Sequence, residues 1–419
     1  MLVDLHSHYP IHIHTTDPRV RSLRIWSQEG RASLGDRVDG AVIGAASRLW
    51  NYRSLTSGPR VTIESMRAGG VGLALSVLCT PFLEIGNRLT KLYSRRPPYG
   101  GPPVDGHLDV LLRQLCTVES RVAQRHNGEV LIAHNPSELD EALAAGKLTL
   151  VHCVEGGFSL GATPQAVERA VKLLAGRGVA YITIAHLFWR HVATNVPCMP
   201  FVSDATYKRC FPQPDVGLTK LGRAAVQAMV AEGVLVDITH MSNAALEDTL
   251  NLMDQLDPTG SVPLLASHCG FRFGQREYNL TGETVSRVAE RDGVIGLMLS
   301  AHFMPDGLPG GRPASWEDSV EVLCRHLDEI AAITGSHRNV AVGSDLDGFI
   351  KPTLAGFDDS QALRRLGPAL EARYGAATAE AIQSGNALRV LRAGWRGAEA
   401  TNGLAARASA PAAPQPPRT

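Results

Sequence analysis

The segment from Gly217 to Ser242, which reads GLTKLGRAAVQAMVAEGVLVDITHMS, contains the pattern that decides the fold. Apolar side chains recur every three or four positions in residues 218–232, which predicts an amphipathic helix. Gly233 ends that pattern, and the apolar run at 234–240 predicts a buried strand that finishes on His240. The segment is therefore predicted to be one helix followed by one strand.

The same alternation continues along most of the chain. Apolar runs predict strands at residues 2–8, 71–78, 148–154, 180–186, 234–240, 262–268, 294–299 and 339–345. Amphipathic segments predict helices at 163–177, 218–232, 244–255, 282–291 and 315–334. Because strands that alternate with helices form parallel sheets, the pattern predicts an α/β fold, a (β/α)8 TIM barrel.

Composition argues against several classes of protein. The 419 residues contain 41 Lys and Arg against 41 Asp and Glu, so a nucleic-acid partner or an anionic membrane surface is not expected. Hydrophobic residues make up 44% of the chain, which is enough for a large core. There is no run of apolar residues long enough to span a membrane and no pattern of a secretory signal. The seven cysteines form no C-x-x-C pair, which is typical of reduced thiols, and we predict a cytoplasmic protein.

One barrel domain is predicted over residues 1–396, enlarged by insertions at 9–61, 80–104 and 190–217. Long segments after barrel strands are where substrate pockets are usually built. The Ala- and Pro-rich end of the chain at 397–419 predicts a disordered tail.

A histidine or an acid stands at the end of most predicted strands. These residues are His6, His8, Glu155, His186, His240, His268 and Asp345. Because the carboxyl ends of all barrel strands meet on one face, these side chains are predicted to converge there. His6 and His8 lie two positions apart, so both face the same side of an extended strand.

Imidazole and carboxylate donors in this arrangement predict a metal site. His6 and His8 form a candidate chelating pair, Glu155 has two oxygens with which to bridge two ions, and His240 and His268 can complete the second site. The donor set suits zinc, with manganese, iron or cobalt as alternatives. The expected cofactors are therefore two divalent metal ions.

Several ordered motifs resemble the membrane dipeptidase (renal dipeptidase) family of the amidohydrolase superfamily. They are VDLHSH at 3–8, VHCVEGGFSL at 151–160, YITIAH at 181–186, the quoted segment at 217–242, VPLLASH at 262–268, VAVGSDLDGF at 340–349 and SGNALRVLR at 384–392. Each motif alone is weak, but the ordered set extends from about residue 2 to 393. The resemblance implies the same barrel and the hydrolysis of a dipeptide or related small molecule.

The resemblance also implies a role for each matched residue. His6 resembles the first-metal ligand, Glu155 the bridging carboxylate, and His240 and His268 the second-metal ligands. His186 resembles the histidine that polarises the scissile carbonyl and stabilises the oxyanion. Asp345 resembles the acid that shuttles a proton or holds the free amino group of the substrate. A hydroxide that bridges the two ions is the nucleophile this chemistry implies, and a homodimer is a further family-based expectation.

Two departures from the family pattern bear on specificity. The family has Asp where this chain has His8, which removes one negative charge from the predicted metal site. The family also has Arg-Asn-Leu-Thr, whose Arg binds the substrate carboxylate, where this chain has Tyr278 before Asn279. Arg276 and Arg272 lie nearby and are alternative candidates for that role. We therefore predict that substrate contacts come from His186, Arg272, Arg276, Tyr278 and Asp345.

These departures leave alternatives open. The first is a barrel hydrolase that acts on a lactone, a cyclic amide or another carbonyl compound instead of a dipeptide. The second is a non-catalytic binding homologue, which requires an incomplete metal site. Retention of His6, Glu155, His240 and His268 argues against that second alternative.

Overall fold

The computed structural model of the chain describes residues 1–13, 59–80, 101–200, 202–348, 350 and 352–398. Most of the predicted insertions at 9–61 and 80–104, and nearly all of the predicted tail at 397–419, lie outside these residues. The third predicted insertion, at 190–217, is described apart from residue 201 and contains one short helix. None of the helices in the described ranges combines the length and the apolar character that crossing a bilayer requires.

Parallel strands form the centre of the protein. In chain order the described strands are β1 (Leu2–Ser7), β2 (Val71–Cys79), β3 (Val130–Ile132), β4 (Leu148–Glu155), β5 (Tyr181–Thr183), β6 (Leu235–Asp237), β7 (Leu265–Cys269), β8 (Val294–Leu297) and β9 (Val340–Val342). Neighbours follow the order β2-β1-β9-β8-β7-β6-β5-β4, and β2 also pairs with β4, which closes a ring of eight. The predicted (β/α)8 barrel is confirmed.

Strand β3 is the one described strand that the sequence did not predict. It pairs only with the first three residues of β4, Leu148–Leu150, and lies outside the ring of eight. Its apolar run covers only residues 130–133, whereas the other three-residue strands lie in longer predicted runs, so the apolar pattern did not identify it.

Helices surround the barrel. They are α1 (Ile63–Ala68), α2 (Gly106–Arg125), α3 (Pro136–Ala144), α4 (Pro164–Ala175), α5 (Asp204–Cys210), α6 (Lys220–Glu232), α7 (Asn243–Leu256), α8 (Gly282–Glu290), α9 (Trp316–Thr334), α10 (Leu366–Tyr374), α11 (Ala376–Glu380) and α12 (Asn386–Gly394). The five predicted helices correspond to α4, α6, α7, α8 and α9. Each of these five begins directly after a Thr or Ser whose side chain accepts a hydrogen bond from the first turn: Thr163, Thr219, Ser242, Thr281 and Ser315. Such caps satisfy backbone N–H groups that a helix leaves unpaired, and they fix where it starts.

Two apolar layers lie on the two sides of the strands. Along β4, Val151 and Cys153 belong to an inner cluster with Leu5, Leu75 and other strand residues. Leu150 and Val154, which alternate with them, pack in the outer cluster with helix residues. The inner cluster also includes Ala387, Leu388, Val390 and Leu391 of α12 and Trp395, so the last helix packs against the barrel interior.

Three strands end three residues earlier than predicted. The runs at 180–186, 234–240 and 339–345 leave the strand conformation at Thr183, Asp237 and Val342. In two of these runs the last predicted residue explains the earlier end of the strand, because His240 and Asp345 have φ angles of 68° and 52°. Those angles are left-handed and incompatible with a strand.

His152, on the outer side of β4, makes stability depend on pH. It is 1% exposed, and among the described residues neither of its ring nitrogens has a hydrogen-bond partner. Burial lowers its pKa to about 4, whereas in the unfolded chain it is about 6.5. Between these two values the unfolded state binds the proton and the folded state does not, so the free energy of unfolding falls as the pH falls.

We expect a His152→Leu variant to lose this pH dependence. Its free energy of unfolding relative to the parent should rise by about 2 kcal/mol between pH about 7.5 and pH about 5, as measured by urea unfolding at both pH values. Any change in packing is present at both values and cancels. A Val154→Leu variant, on the same face of β4, should follow the parent. If the free energy of unfolding of His152→Leu relative to the parent is the same at both pH values, His152 is not the source of the pH dependence.

Candidate metal centre

The Glu155 carboxylate lies at the centre of the predicted cluster. It ends β4 and is 2% exposed. Its Oε1 lies 3.2 Å from Nε2 of His240 and 3.5 Å from Nε2 of both His6 and His268. Its Oε2 lies 3.1 Å from Nε2 of His186 and 3.6 Å from Nε2 of His8. The structure therefore brings five predicted histidines around one carboxylate.

Four of these histidines form two pairs next to Glu155. The Nε2 atoms of His6 and His8 are 3.2 Å apart, and those of His240 and His268 are 3.1 Å apart. Each pair, taken with Glu155, places its ligand atoms within 4.8 Å of one another. Glu155 is thus shared by two buried groups of three ligands.

Local backbone irregularities aim these side chains. The pairing of β1 with β2 shifts register between Asp4 and Ser7, and His6 lies inside this stretch. The pairing of β7 with β8 shifts between Ala266 and Cys269, around His268. Such irregularities re-aim side chains next to functional sites.

Two further residues are held in conformations that L-amino acids rarely adopt. His240 and Asp345 are left-handed, which costs about 1–3 kcal/mol at each residue and persists only where the surroundings impose it. A Cβ on Gly348 would lie 1.9 Å from Oδ1 of Asp345, so only glycine leaves room for this carboxylate.

Burial and charge prepare the ligands for a cation. Burial lowers the pKa of His6 and His268 well below the usual range, so both rings are neutral and keep a lone pair to donate. Burial opposes ionisation of Glu155, but the neighbouring His186 holds the pKa of that carboxyl well below its usual range. Neutral imidazoles around an ionised carboxylate are the donor set that fits divalent metal ions.

The tautomer of His6 supports the same conclusion. Its Nδ1 lies 2.8 Å from the hydroxyl of Tyr181, and that hydroxyl donates to the carbonyl of Leu5 at 2.8 Å. The hydroxyl has one proton, so His6 Nδ1–H must be the donor to Tyr181. The lone pair of His6 is then on Nε2, which faces Glu155.

Asp345 and His8 form a buried pair beside the two ligand groups. Their Oδ1 and Nε2 atoms are 3.0 Å apart. Burial raises the pKa of Asp345, and the negative charge of Glu155 raises it further, although His8 opposes this. Burial acts to lower the pKa of His8, but the hydrogen bond that its ring donates to Asp345 raises it overall. Asp345 also belongs to a third possible ligand group with His6 and His268.

A small pocket opens onto this cluster. Its polar lining is His8, Glu155, His186, His240, Tyr278 and Asp345, and its apolar lining is Leu187, Cys198, Phe303 and Ile350. Predicted metal-ligating, catalytic and substrate-binding side chains therefore share one small chamber.

Tyr278, which precedes Asn279 where the family pattern has arginine, lines this cavity. It is 5% exposed, stacks on Phe303 with ring centroids 4.6 Å apart, and places its hydroxyl 3.3 Å from Nε2 of His240. Arg272 and Arg276 are not among the described lining residues of the cavity. Arg272 donates to the carbonyls of Glu277 and Asn279.

Arg276 is engaged outside the cavity as well. Its Nη1 lies 3.0 Å from Oδ1 of Asp204, at the start of α5, and also donates to the carbonyl of Val202. Its guanidinium carbon lies 5.9 Å from the centre of the Phe303 ring, and Phe303 is one of the residues that line the cavity. A contact of either arginine with substrate stays a prediction.

Four residues at the site were not predicted. Tyr181 and Ser267 hydrogen-bond to candidate ligand histidines, Asp237 accepts from Ser267, and Cys79 lies within 4.8 Å of possible ligand atoms of Glu155 and His186. Asp237 and Ser267 are polar residues inside apolar runs that lead to a ligand histidine. A buried polar residue in such a run is the signal that could have identified them.

The protein is thus a (β/α)8 barrel with a candidate metal centre, which buried histidines and carboxylates form at the strand ends. Residues 50–402 match the family described as Membrane dipeptidase (Peptidase family M19). The chain therefore belongs to the membrane dipeptidase family, and the predicted resemblance is confirmed. The matched region begins after His6 and His8.

Curated relatives match over part of their length. Two uncharacterized dipeptidases of Schizosaccharomyces pombe are 26% identical over 197 residues and 27% identical over 214 residues. These regions cover 46% and 50% of this chain but only 41% and 45% of the relatives. The chain thus matches less than half the length of either relative.

Solved structures match over most of the chain. A metallo peptidase described as the dipeptidase AC is similar with a TM-score of 0.66 and 19% identity, and the match covers 94% of this chain and 98% of that one. A metallo peptidase from Rhodobacter sphaeroides, liganded with a phosphinate mimic of the dipeptide L-Ala-D-Ala, is similar with the same score and identity and with 94% and 99% coverage. An amidohydrolase from Pseudomonas aeruginosa has a TM-score of 0.60 at 16% identity, with 79% and 91% coverage. At these identities the comparison supports the fold.

Proposed function

We propose that the protein is a metal-dependent hydrolase that cleaves the peptide bond of dipeptides. The observation that carries this proposal is the sharing of Glu155 between two buried groups of ligands. His6, His8 and Glu155 would hold one ion, and Glu155, His240 and His268 the other. The nitrogen and oxygen donors favour zinc, with manganese, iron or cobalt as alternatives.

When bound, the ions would act as Lewis acids and lower the pKa of a water molecule to near neutrality. His186 lines the cavity beside Glu155 and is proposed to donate a hydrogen bond to the carbonyl oxygen as negative charge develops there. Asp345 lines the cavity as well, and burial raises its pKa, which suits a group that takes up a proton and delivers it to the leaving nitrogen. No side-chain nucleophile is required.

Tyr278 favours a second candidate function. A phenol hydroxyl donates a neutral hydrogen bond, whereas the family arginine offers a charged fork to a carboxylate. Arg272 and Arg276 are bonded to backbone carbonyls and to Asp204. A lactone, a cyclic amide or another carbonyl compound without a carboxylate at this position would suit Tyr278 better than a free dipeptide.

A substrate panel tests both candidates. The Rhodobacter sphaeroides relative binds a mimic of L-Ala-D-Ala, so the panel should contain L-Ala-D-Ala, L-Ala-L-Ala, their C-terminal amides, lactones and cyclic dipeptides. We expect hydrolysis by the zinc-loaded protein, loss of hydrolysis after chelation, and recovery when metal is restored. Absence of cleavage of every dipeptide and dipeptide amide by protein with metal bound would contradict the dipeptidase proposal.

A Tyr278→Arg variant separates the two candidates. If Tyr278 replaces the family arginine, the variant should raise kcat/KM for free dipeptides relative to their amides. The matched control is Tyr278→Phe, which keeps the ring and its stacking on Phe303 but adds no charge. An equal change in both variants would show that the charge is irrelevant and would remove the support for the second candidate.

The proposed partner is a small-molecule or dipeptide substrate. A reducing, cytoplasmic location is proposed because all seven cysteines are free thiols. A homodimer stays a prediction from the family.

A further inference from the structure

The Ser267 hydroxyl lies next to one histidine from each of the two candidate groups of metal ligands. It is 2.8 Å from Nδ1 of His268 and 3.2 Å from Nδ1 of His6, and the two rings have centroids 3.7 Å apart. The hydroxyl is also 2.6 Å from Oδ2 of Asp237. Ser267 and Asp237 have no exposed surface. One buried hydroxyl thus touches a ligand from each group.

Asp237 fixes the direction of these hydrogen bonds. Its Oδ1 accepts from the backbone and hydroxyl of Thr239 and from the backbone of Ser267, and its Oδ2 accepts from the hydroxyls of Thr183 and Ser267. Burial raises the pKa of Asp237, but these five donors stabilise its ionised form. Because the carboxylate only accepts, the Ser267 proton is committed to Asp237.

The oxygen of Ser267 is then left as an acceptor. His268 must donate its Nδ1–H to this oxygen, so its lone pair is on Nε2, which lies 3.1 Å from Nε2 of His240. Nδ1 of His6, which donates to Tyr181 at 2.8 Å, also lies 3.2 Å from the Ser267 oxygen, and the lone pair of His6 is likewise on Nε2. Both lone pairs therefore face the shared carboxylate of Glu155.

The backbone of Ser267 is confined as well. A Cβ on Gly296 or Gly343 would lie 2.1 Å or 1.8 Å from the carbonyl oxygen of Ser267. The strands on that side approach closely only because both residues are glycine. The backbone therefore fixes the position of the Ser267 hydroxyl relative to the two rings.

We propose that Ser267, held by Asp237, is a positioning residue that sets the tautomer and ring orientation of His268 and, together with Tyr181, holds the ring of His6, so that both metal ions depend on one hydroxyl. The proposal rests on the metal centre of the proposed function. Partners of this kind orient metal-bound histidines, and their loss typically weakens metal binding by about 10–100-fold.

A Ser267→Ala variant tests this proposal through metal binding. We expect its affinity for both zinc ions to fall by about 10–100-fold, measured by elemental analysis of the full chain after equilibration with buffers of graded free zinc. The matched control is Thr183→Val, which removes the other hydroxyl that donates to Oδ2 of Asp237. That variant should keep the parental zinc affinity, because Thr183 has no hydrogen bond to a ligand histidine among those described.

Three results would overturn the proposal: parental zinc affinity in Ser267→Ala, weakening of only one ion, or equal weakening in Thr183→Val. Thermal unfolding of the metal-free proteins checks that each variant is folded. If Ser267→Ala does not fold, Ser267→Cys, with its weak sulfur acceptor, is held to the same criteria. Metal binding is read independently of hydrolysis. A parent that binds two ions but cleaves nothing would end the proposed function and leave this inference standing.

Discussion

A Glu155→Gln variant is expected to lose both metal ions and all measurable hydrolysis. The amide keeps the shape of the side chain but removes the one negative charge that both ligand groups share. Loss of a partner outside the ligand shell weakens metal binding by up to about 100-fold, and loss of the shared ligand should exceed that value. The buried histidines would then face two ions without the charge that offsets them.

Metal content and kcat/KM measured on the same preparation test this expectation. Glu119→Gln is the matched control, because it makes the same chemical change on α2, where Glu119 pairs with Arg177 at 2.6 Å outside the barrel. The control should keep the parental metal content and rate. A Glu155→Gln protein that retains two ions would refute the bridging role, and one that retains a single ion would assign Glu155 to one group alone.

Much of the site could be predicted because its ligands follow apolar runs directly. Barrel geometry brings strand ends together, so His6, Glu155 and His268 could be placed on one face without a structure. The positions of His240 and Asp345 were predicted, but their conformation was not. Each lies three residues past its strand in a left-handed conformation, which tertiary contacts impose and hydrophobic period does not reveal.

The features of the site that could not be predicted from the sequence depend on hydrogen bonds between segments that are distant in the chain. Arg276 and Tyr278 are two residues apart, yet Arg276 pairs with Asp204 while Tyr278 lines the cavity. The bond from Ser267 to Asp237 joins two neighbouring strands across 30 positions of sequence. Proximity to a motif indicates that a polar residue matters, but only packing decides which partner it meets.

Asp345→Asn is expected to reduce kcat by about 10²–10⁴-fold, the usual contribution of a positioned proton carrier. The carboxylate lies in the cavity and 3.0 Å from Nε2 of His8, and burial raises its pKa, which makes it a better proton acceptor. An amide of the same shape cannot exchange that proton. The ligand groups around Glu155 do not require Asp345, so metal content should stay at the parental level.

Asp347→Asn is the control that separates proton transfer from a change in the same loop. Asp347 accepts from the backbone N–H groups of Arg60 and Val61 at 2.7 and 2.8 Å, and the amide oxygen of asparagine can still accept there. The control should therefore keep the parental kcat, measured with the substrate that the panel identifies. Because Asp345 also lies within ligand distance of His6 and His268, loss of metal in Asp345→Asn would make it a ligand and contradict the proton-carrier role. Retained metal with a parental kcat would contradict both roles, and retained metal with a reduced kcat would leave proton transfer as the function of this carboxylate.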